Sequence, residues 1–551
     1  MALRLGDILV EKGIITPQEL KMAIDEQQRT GEILGQVLVK MGFVTEKEML
    51  QALAEQQGIP FLDLKDVKID ENIIKKVPAK FATHYKIMPL NMEENVLTIA
   101  ISNPFDMWPI DDLETHLGFR VERTLATTQD ILEAIGRYYG VGSETIEGIL
   151  AGEPRPEKKQ EVDLEDNVQD LEKMAGDASI IKLVNQILRQ AIDDRATDIH
   201  IEHFRGELAL RYRIDGVLYD IQVSEDIRQL HPAIVSRIKV MSGLNIIERR
   251  IPQDGRTKVK IGDNECDLRV SVVPTIYGEN IVIRILHTKM LYDLSDLGLS
   301  RRAYDILDEL LKKPHGIVLV TGPTGSGKST TLYAALNKLN TRDRKIITIE
   351  DPVEYELRGI TQIQVNPKIG LTFAQALRSM LRHDPDIMMV GEVRDFETAE
   401  ITIQTALTGH LVFSTLHTND AASGVTRLLN IGVEPFLIAS SVVAFIAQRL
   451  VRVLCKKCKE KYEPKNSKDK TLYRARGCEA CNNTGYMGRT GIYEILLVNE
   501  EIEKLILKKA SASEIKEKAQ KLGMKNLRDD GWEKVIAGVT TPEEVMRVTQ
   551  L

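Results

Sequence analysis

Residues 317–339 read IVLVTGPTGSGKSTTLYAALNKL, and they form the most informative stretch of the chain. The apolar run 317–320 is typical of a buried strand, and the apolar spacing of 330–339 is typical of a helix. Between them, residues 322–329 (GPTGSGKS) match the P-loop pattern G-x-x-x-x-G-K-[ST]. A strand, a glycine-rich loop and a helix in this order predict an α/β nucleotide-binding domain with a mostly parallel sheet.

The side chains of this loop suit the binding of a nucleoside triphosphate. Gly325 and Gly327 let the backbone turn its N–H groups onto phosphate oxygens, at the positive end of the following helix. Lys328 supplies a charge for the β- and γ-phosphates, and the Ser329 hydroxyl is a ligand for Mg²⁺. The predicted nucleotide site comprises Gly322, Pro323, Thr324, Gly325, Ser326, Gly327, Lys328, Ser329 and Thr330.

Carboxylates follow two further predicted strands. Gly391 and Glu392 come directly after the apolar run 387–390, and Glu350 follows the run 346–349, with Glu354 four residues later. Because the carboxyl ends of parallel strands meet at the ligand-binding edge, these glutamates are candidates for holding Mg²⁺ or orienting the attacking water. The residues alone leave open which of the three acts as the general base.

A histidine follows a third predicted strand. His417 comes after the apolar run 411–415. A lone histidine is more often structural than catalytic, but at the end of a strand in the same sheet His417 is a candidate sensor of the γ-phosphate.

Three segments around these residues resemble the secretion ATPase family. TIEDPVEY (348–355) resembles its Asp box, DPDIMMVGEVRD (384–395) its Walker B box, and TGHLVFSTLHTND (408–420) its His box. The P-loop and the three boxes follow one another in the order typical of the family. The segments RATDIHIE (195–202) and IPQDGR (251–256) extend the resemblance over essentially the whole chain.

The resemblance implies a fold and a function. It implies a RecA-like ATPase core, preceded by an α+β (PAS-like) domain and an α/β N-terminal regulatory domain. It also implies a homohexameric motor, cytoplasmic and peripheral to the inner membrane, that hydrolyses ATP with Mg²⁺. Such a motor acts on an inner-membrane platform protein, docks on a membrane-anchored partner, and adds subunits to a pilus-like fibre. The segments 432–441 and 471–494 most resemble the type II secretion ATPases, and the type IV pilus extension ATPases are the alternative.

Five arginines acquire candidate roles only through this resemblance. It implies that Arg269 and Arg284 are arginine fingers, which stabilise charge on the transferred phosphoryl group. It implies that Arg378, Arg382 and Arg394 lie around the nucleotide or at the subunit boundary. An ordinary surface ion pair is the alternative for each of them.

Four of the five cysteines form two C-x-x-C pairs. The sulfur ligands predicted for one metal ion are Cys455, Cys458, Cys478 and Cys481. This spacing is typical of a structural zinc site, in which four thiolates close a tetrahedron and leave no position open for catalysis. The sequence therefore predicts a zinc-binding, helical C-terminal region.

The first 57 residues contain an internal repeat. Residues 5–28 and 34–57 are identical at 11 of 24 aligned positions, and Thr16 and Thr45 stand at capping-box spacing from a glutamate. The two units resemble a cyclic di-GMP-binding domain, and docking of a partner protein is the alternative. The resemblance implies that the ligand residues are Arg4, Leu5, Gly6, Leu9, Leu20 and Gln27 in the first copy, and Leu34, Gly35, Leu38, Leu53 and Gln56 in the second.

Composition limits the function classes. The chain of 551 residues is 43% hydrophobic and 28% charged, with a net charge of −8, which excludes a mainly disordered protein and counts against a nucleic-acid translocase. The intact Lys328, Ser329, Glu350 and Glu392 count against a nucleotide sensor with a degenerate site. No apolar run reaches the roughly 20 residues that a spanning helix needs.

The expected domains are a regulatory domain (1–140), a flexible acidic linker (141–176), an α+β domain (177–296), the ATPase core (297–453) and a zinc-containing tail (454–551).

Overall fold

The chain divides into two compact units. The structure is a computed structural model that describes residues 4–140, 142, 145, 177–205, 207–261, 264–287, 292–463 and 471–550. The first unit comprises residues 1–285 and the second comprises residues 286–551. The linker predicted over 141–176 lies, apart from residues 142 and 145, outside the described residues.

The N-terminal repeat folds as two helical hairpins. Its helices are α1 (Leu5–Glu11), α2 (Pro17–Thr30), α3 (Leu34–Lys40) and α4 (Glu46–Gln57). Both predicted capping boxes are confirmed, because Thr16 and Thr45 each exchange hydrogen bonds with the glutamate three residues later. The apolar faces of the two copies pack on each other, and Leu9 and Leu38 are fully buried between them.

A small α/β subdomain follows the repeat. It contains α5 (Glu71–Ile74), α6 (Ala79–Tyr85), β1 (Met88–Glu93), β2 (Val96–Ile101), α7 (Trp108–Leu117), β3 (Arg120–Leu125) and α8 (Thr128–Tyr139). The strand β2 pairs antiparallel with β1 and parallel with β3. The α/β character expected for the N-terminal regulatory domain is therefore present.

The second half of the first unit is an α+β fold around a six-stranded sheet. Its elements are α9 (Ala178–Asp193), β4 (Ala196–Phe204), β5 (Glu207–Ile214), β6 (Val217–Ile221), α10 (His231–Met241), β7 (Gln253–Ile261), β8 (Asn264–Thr275) and β9 (Gly278–His287). The strand order is β6-β5-β4-β9-β8-β7. The apolar faces of α9 and α10 bury against one side of this sheet.

The second unit is built on a seven-stranded sheet with the P-loop strand inside it. Its strands are β10 (Gly316–Thr321), β11 (Ile346–Glu350), β12 (Thr361–Gln364), β13 (Ile387–Val390), β14 (Leu411–Leu416), β15 (Val442–Leu454) and β18 (Tyr486–Leu497), and the short pair β16 (Glu460–Tyr462) and β17 (Leu472–Arg474) lies apart from it. The order is β12-β11-β13-β14-β10-β15-β18, and every neighbouring pair is parallel except β15 with β18. The predicted parallel α/β core is confirmed.

Helices cover both faces of this sheet. They are α11 (Arg301–Leu311), α12 (Lys328–Leu339), α13 (Phe373–Met380), α14 (Phe396–Leu407), α15 (Ala421–Ile431), α16 (Pro435–Ser441), α17 (Glu500–Leu507), α18 (Ala512–Lys521), α19 (Leu527–Ile536) and α20 (Pro542–Thr549). Within β10, Ile317 and Leu319 join one apolar core while Val318 and Val320 join the other. A strand buried on both faces needs a continuous apolar run, which explains residues 317–320.

The C-terminal region contributes a strand as well as helices. The strand β18 pairs with β15 from Ala444 to Leu454 and so completes the ATPase sheet with residues that follow the cysteine pairs. A helical tail was expected, and the long edge strand was not, because its residues 491–497 (GIYEILL) match a helix pattern as well as a strand. Within the described ranges, no helix is long and apolar enough to cross a lipid bilayer.

Candidate functional site

The P-loop leads from β10 into α12 through Gly327. Gly327 precedes α12 with a φ of +87°, a backbone conformation that side chains disfavour. A Cβ atom at Gly327 would lie 2.8 Å from the Gln448 side-chain nitrogen. The backbone conformation therefore favours glycine here, and the loop N–H groups stay at the start of the helix, where an anion binds best.

Lys328 folds back over the loop. Its ammonium group donates hydrogen bonds to the backbone oxygens of Gly322 (2.9 Å) and Pro323 (3.1 Å). Burial lowers the pKa of Lys328, the nearby Arg449 lowers it further, and the Glu392 carboxylate opposes both. Phosphate oxygens are stronger acceptors than these carbonyl oxygens, so the lysine can exchange its two backbone hydrogen bonds for bonds to a triphosphate.

Glu392 stands at the end of β13 between two basic side chains. One carboxylate oxygen lies 2.5 Å from the Arg394 guanidinium, and the other lies 3.3 Å from His417 Nε2. Gly391 makes this placement possible, because its N–H donates to Ile349 O (2.7 Å) and a Cβ would approach that oxygen to 3.2 Å. Gly391 thus lies close against the end of β11, the strand that neighbours β13.

Glu350 ends β11 and is enclosed by donors. One carboxylate oxygen accepts from Thr348 Oγ1 (2.6 Å) and Gln362 Nε2 (3.1 Å), and the other accepts from the Tyr333 hydroxyl. Only 4% of Glu350 is exposed. Burial raises the pKa of Glu350, and the three hydrogen bonds, which lower it, offset only part of that rise. The backbone N–H of Glu354 donates to the same Tyr333 hydroxyl, so both acidic candidates meet the P-loop helix α12.

The five candidate arginines lie in different surroundings. Arg394 contacts Glu392, as described. Arg378 pairs with Glu397 (2.6 Å), and Arg382 donates to Arg378 O (2.8 Å); both are exposed at the end of α13. Arg269 and Arg284 lie on β8 and β9 of the first unit, where Arg284 donates to Asp198 (3.1 Å).

Two polar residues beside the P-loop were not foreseen. Gln448 accepts a hydrogen bond from Thr331 on α12 (2.8 Å), and the buried Arg449 donates to Asn419 O (3.0 Å) just after His417. Both interrupt the apolar run that opens strand β15 at residues 442–447. Buried polar residues in such a run need hydrogen-bond partners, and this was the signal by which the sequence could have indicated these two residues. Tyr333 carried no such signal, because a tyrosine on a buried helix face looks like core.

The four paired cysteines come together. Their sulfur atoms all lie within 4.8 Å of one another, with distances of 3.8 Å for Cys455–Cys478, 3.8 Å for Cys458–Cys481 and 3.7 Å for Cys478–Cys481. Tetrahedral zinc with Zn–S bonds of about 2.3 Å requires sulfur atoms roughly 3.8 Å apart. The donor set and its spacing therefore fit a zinc ion.

The candidate residues of the N-terminal repeat divide into buried and accessible groups. The buried members are Gly6, Leu9, Gly35, Leu38 and Leu53. A Cβ at Gly6 would lie 2.6 Å from a Leu20 methyl carbon, and one at Gly35 would lie 3.1 Å from the Met49 sulfur. In this conformation the glycines serve the packing of the hairpins. The accessible members are Arg4, Leu5, Leu20, Gln27, Leu34 and Gln56.

Two family models match the chain. The one described as "Type II/IV secretion system protein" matches residues 173–547, and the one described as "MshEN domain" matches residues 57–145. The second match begins where the N-terminal repeat ends.

Two relatives with assigned names align over most of the chain. The type IV pilus assembly ATPase PilB of Myxococcus xanthus is 44% identical and the alignment covers 99% of each chain. The type II secretion system ATPase E of Vibrio cholerae is 43% identical, over 87% of this chain and 97% of its own.

Among solved structures, the Legionella pneumophila ATPase DotB has a similar fold. It aligns with a TM-score of 0.51 at 24% identity, over 66% of this chain and 95% of its own. One family model covers more than half of the chain and both named relatives align over most of it, so the chain belongs to the type II/IV secretion system protein family and is an ATPase.

Proposed function

We propose that the chain is the hexameric motor that assembles a pilus-like fibre through an inner-membrane platform protein, and that it powers type II protein secretion. The observation that carries the proposal is the convergence of Lys328, Glu392 and Glu350 at the carboxyl edge of one parallel sheet. Such an edge binds nucleotides and supplies the groups for hydrolysis. The motor acts at the cytoplasmic face of the membrane.

Each residue of the site has a role in this proposal. The loop 322–330 binds the triphosphate, and Ser329 holds Mg²⁺. Glu392, opposite Lys328, polarises the attacking water, and His417 reports the state of the γ-phosphate to it. Glu350 and Glu354 hold Mg²⁺ or orient that water at the hydrolytic site. Arg269 and Arg284 act as arginine fingers, and Arg378, Arg382 and Arg394 line the subunit boundary. The proposed domains are the regulatory domain (1–140), the acidic linker (141–176), the α+β domain (177–296), the ATPase core (297–453) and the zinc-containing tail (454–551).

Type IV pilus extension is the second candidate function. It is favoured by the Myxococcus xanthus relative, which aligns over 99% of this chain, whereas the Vibrio cholerae secretion ATPase aligns over 87%. Both functions require the same chemistry, so the site does not separate them.

A deletion in the host organism tests the proposal. We expect the deletion strain to lose secreted enzymes from the medium and to keep surface pili, because a motor serves the platform on which it docks. Wild-type protein restores secretion, and the Glu392→Gln variant, which still assembles, does not. Loss of pili and twitching with normal secretion would favour the second candidate, and loss of neither would refute both.

We propose that the tetracysteine cluster holds a structural zinc ion. Cys455, Cys458 and Cys481 are buried, and the backbone N–H groups of Cys478 and Gly485 each donate to the Cys481 sulfur at 3.2 Å. Donors of this kind stabilise thiolates. The ion closes the connection between β15 and β18 and takes no part in hydrolysis.

We propose that the N-terminal repeat binds cyclic di-GMP as a regulator. Arg4 is exposed immediately before α1, and its guanidinium group can pair with a phosphate. Binding is expected to be saturable when the full chain is titrated with the nucleotide, and to weaken at least about tenfold in Arg4→Ala, since a charge-assisted hydrogen bond contributes about 1.5–3 kcal/mol.

The matched control is Arg29→Ala, which removes an exposed arginine near the end of α2 that pairs with Glu26 on its own helix. If neither the wild type nor the control binds the nucleotide, the repeat serves to dock a partner protein instead.

A further inference from the structure

The side chain of Tyr333 connects the P-loop helix to the acidic loop. Tyr333 lies on α12, five residues after Lys328, and only 1% of it is exposed. Its hydroxyl donates to Glu350 and accepts from the Glu354 N–H at 3.2 Å. One buried oxygen atom therefore links the helix that begins at the phosphates to both acidic candidates on β11 and the loop after it.

The aromatic ring is held as firmly as the hydroxyl. It packs edge-on against Tyr355, with ring centroids 4.5 Å apart, and it belongs to the apolar core beneath the sheet. The side chain is fixed by packing on one side and by two hydrogen bonds on the other. It therefore has little freedom to move independently of α12. A displacement of α12 would instead be transmitted to the Glu350 carboxylate.

We propose that Tyr333 is a positioning residue for ATP hydrolysis, which sets the place of Glu350 and of the Glu354 backbone relative to the nucleotide bound at the start of α12. This inference rests on the proposed role of Glu350 at the hydrolytic site. Tyr333 does not touch the nucleotide in this assignment; it acts through the carboxylate.

Several groups surround the Glu350 carboxylate and set its protonation. Tyr333 from α12, Thr348 from β11 itself and Gln362 from β12 donate hydrogen bonds, while the charge of Glu354 from the following loop opposes ionisation. Tyr355 in the same loop lies within electrostatic reach of both glutamates. Removing the Tyr333 hydroxyl takes away a bond that lowers the pKa of Glu350, so that pKa rises.

The Tyr333→Phe variant tests the inference, because phenylalanine keeps the ring packing and removes only the hydroxyl. We expect kcat to fall about 10- to 100-fold, the loss typical of a misplaced catalytic group, with little change in KM for ATP. We also expect the acidic limb of the kcat–pH profile to move to higher pH. A residue with a merely structural role would lower the melting temperature and leave the pH profile of the folded enzyme unchanged.

Three further variants separate the possible outcomes. Tyr212→Phe removes an equally buried hydroxyl, which donates to Ile187 O (2.9 Å) in the first unit, and should leave kcat and the pH profile unchanged. Thr348→Val removes another donor to Glu350 without touching α12, so it should move the acidic limb in the same direction as Tyr333→Phe. Glu350→Gln should abolish most turnover.

If Tyr333→Phe keeps the wild-type kcat and pH profile while Glu350→Gln is inactive, only the positioning role of Tyr333 is overturned. Wild-type turnover in Glu350→Gln would instead overturn the proposed role of Glu350, and the inference with it. A Tyr333→Phe protein that no longer binds ATP would show that the hydroxyl maintains the fold, which also refutes the proposal.

Discussion

Replacement of Glu392 by glutamine is expected to lower kcat for ATP hydrolysis by about 10²- to 10⁴-fold, the range for loss of a positioned acid–base group. The carboxylate is 8% exposed and lies between Arg394 and His417 at the end of β13. Glutamine has the same shape and keeps a hydrogen-bonding oxygen, but it carries no charge to polarise water or to face Lys328. ATP affinity should stay within a few-fold of wild type, because the P-loop is untouched.

Steady-state turnover across a protein concentration series is the measurement. In the wild type we expect turnover per subunit to rise with concentration if sites are completed between subunits, and the variant should stay low at every concentration. Glu500→Gln, an exposed glutamate in the first turn of α17, is the matched control and should behave as wild type. A Glu392→Gln protein with more than about a tenth of wild-type kcat would contradict this role for the carboxylate.

Removal of the metal from the tetracysteine cluster should unfold the junction between the ATPase sheet and its C-terminal region. Cys455 N donates to Gly485 O at 3.0 Å and Leu454 N donates to Val539 O at 2.8 Å, so the cluster fixes the end of β15 against the turn before α20. Structural zinc contributes about 10–16 kcal/mol of binding free energy in small domains. Even a third of that would lower the melting temperature by on the order of 10 °C in a unit of this size.

Cys458→Ser is the variant, with zinc content measured by elemental analysis and unfolding followed by differential scanning calorimetry. We expect one zinc per chain in the wild type and none in the variant. Cys266→Ser makes the same chemical change at a buried cysteine of the first unit, outside the cluster, and should keep its zinc. Full zinc occupancy in Cys458→Ser, or none in the wild type, would contradict the assignment.

The helices, strands and capping boxes that depend on residues close together in the sequence were predictable. The P-loop strand and helix, the two capping boxes at Thr16 and Thr45, and the apolar strands of the parallel sheet all follow from spacing within about 20 residues. The meeting of the four cysteines was equally predictable, since two C-x-x-C pairs at this spacing are typical of a shared site. In each case the residues that identify the element are also the residues that stabilise it.

The surroundings of the candidate carboxylates were not predictable. Tyr333, Thr348 and Gln362 meet at Glu350 from three elements that are separated by up to 29 residues, and only the order of strands brings β11 and β12 together. Sequence patterns indicated that the glutamates stand at strand ends. They contained no information on which donors enclose each one.

The amino-acid sequence by itself determined the nucleotide chemistry of this protein, because a glycine-rich turn, a lysine and a hydroxyl between a strand and a helix serve phosphate binding wherever they occur. It also determined the four cysteines that come together, the repeat and the family. Only the tertiary structure decided that β18 forms one edge of the ATPase sheet. It also decided that Glu350 is enclosed, while Glu392 pairs with Arg394 and His417. Finally, it decided that Tyr333 joins the P-loop helix to the acidic loop. The physical reason is that these are contacts between distant segments, and they exist only once the sheet has placed its strand ends side by side.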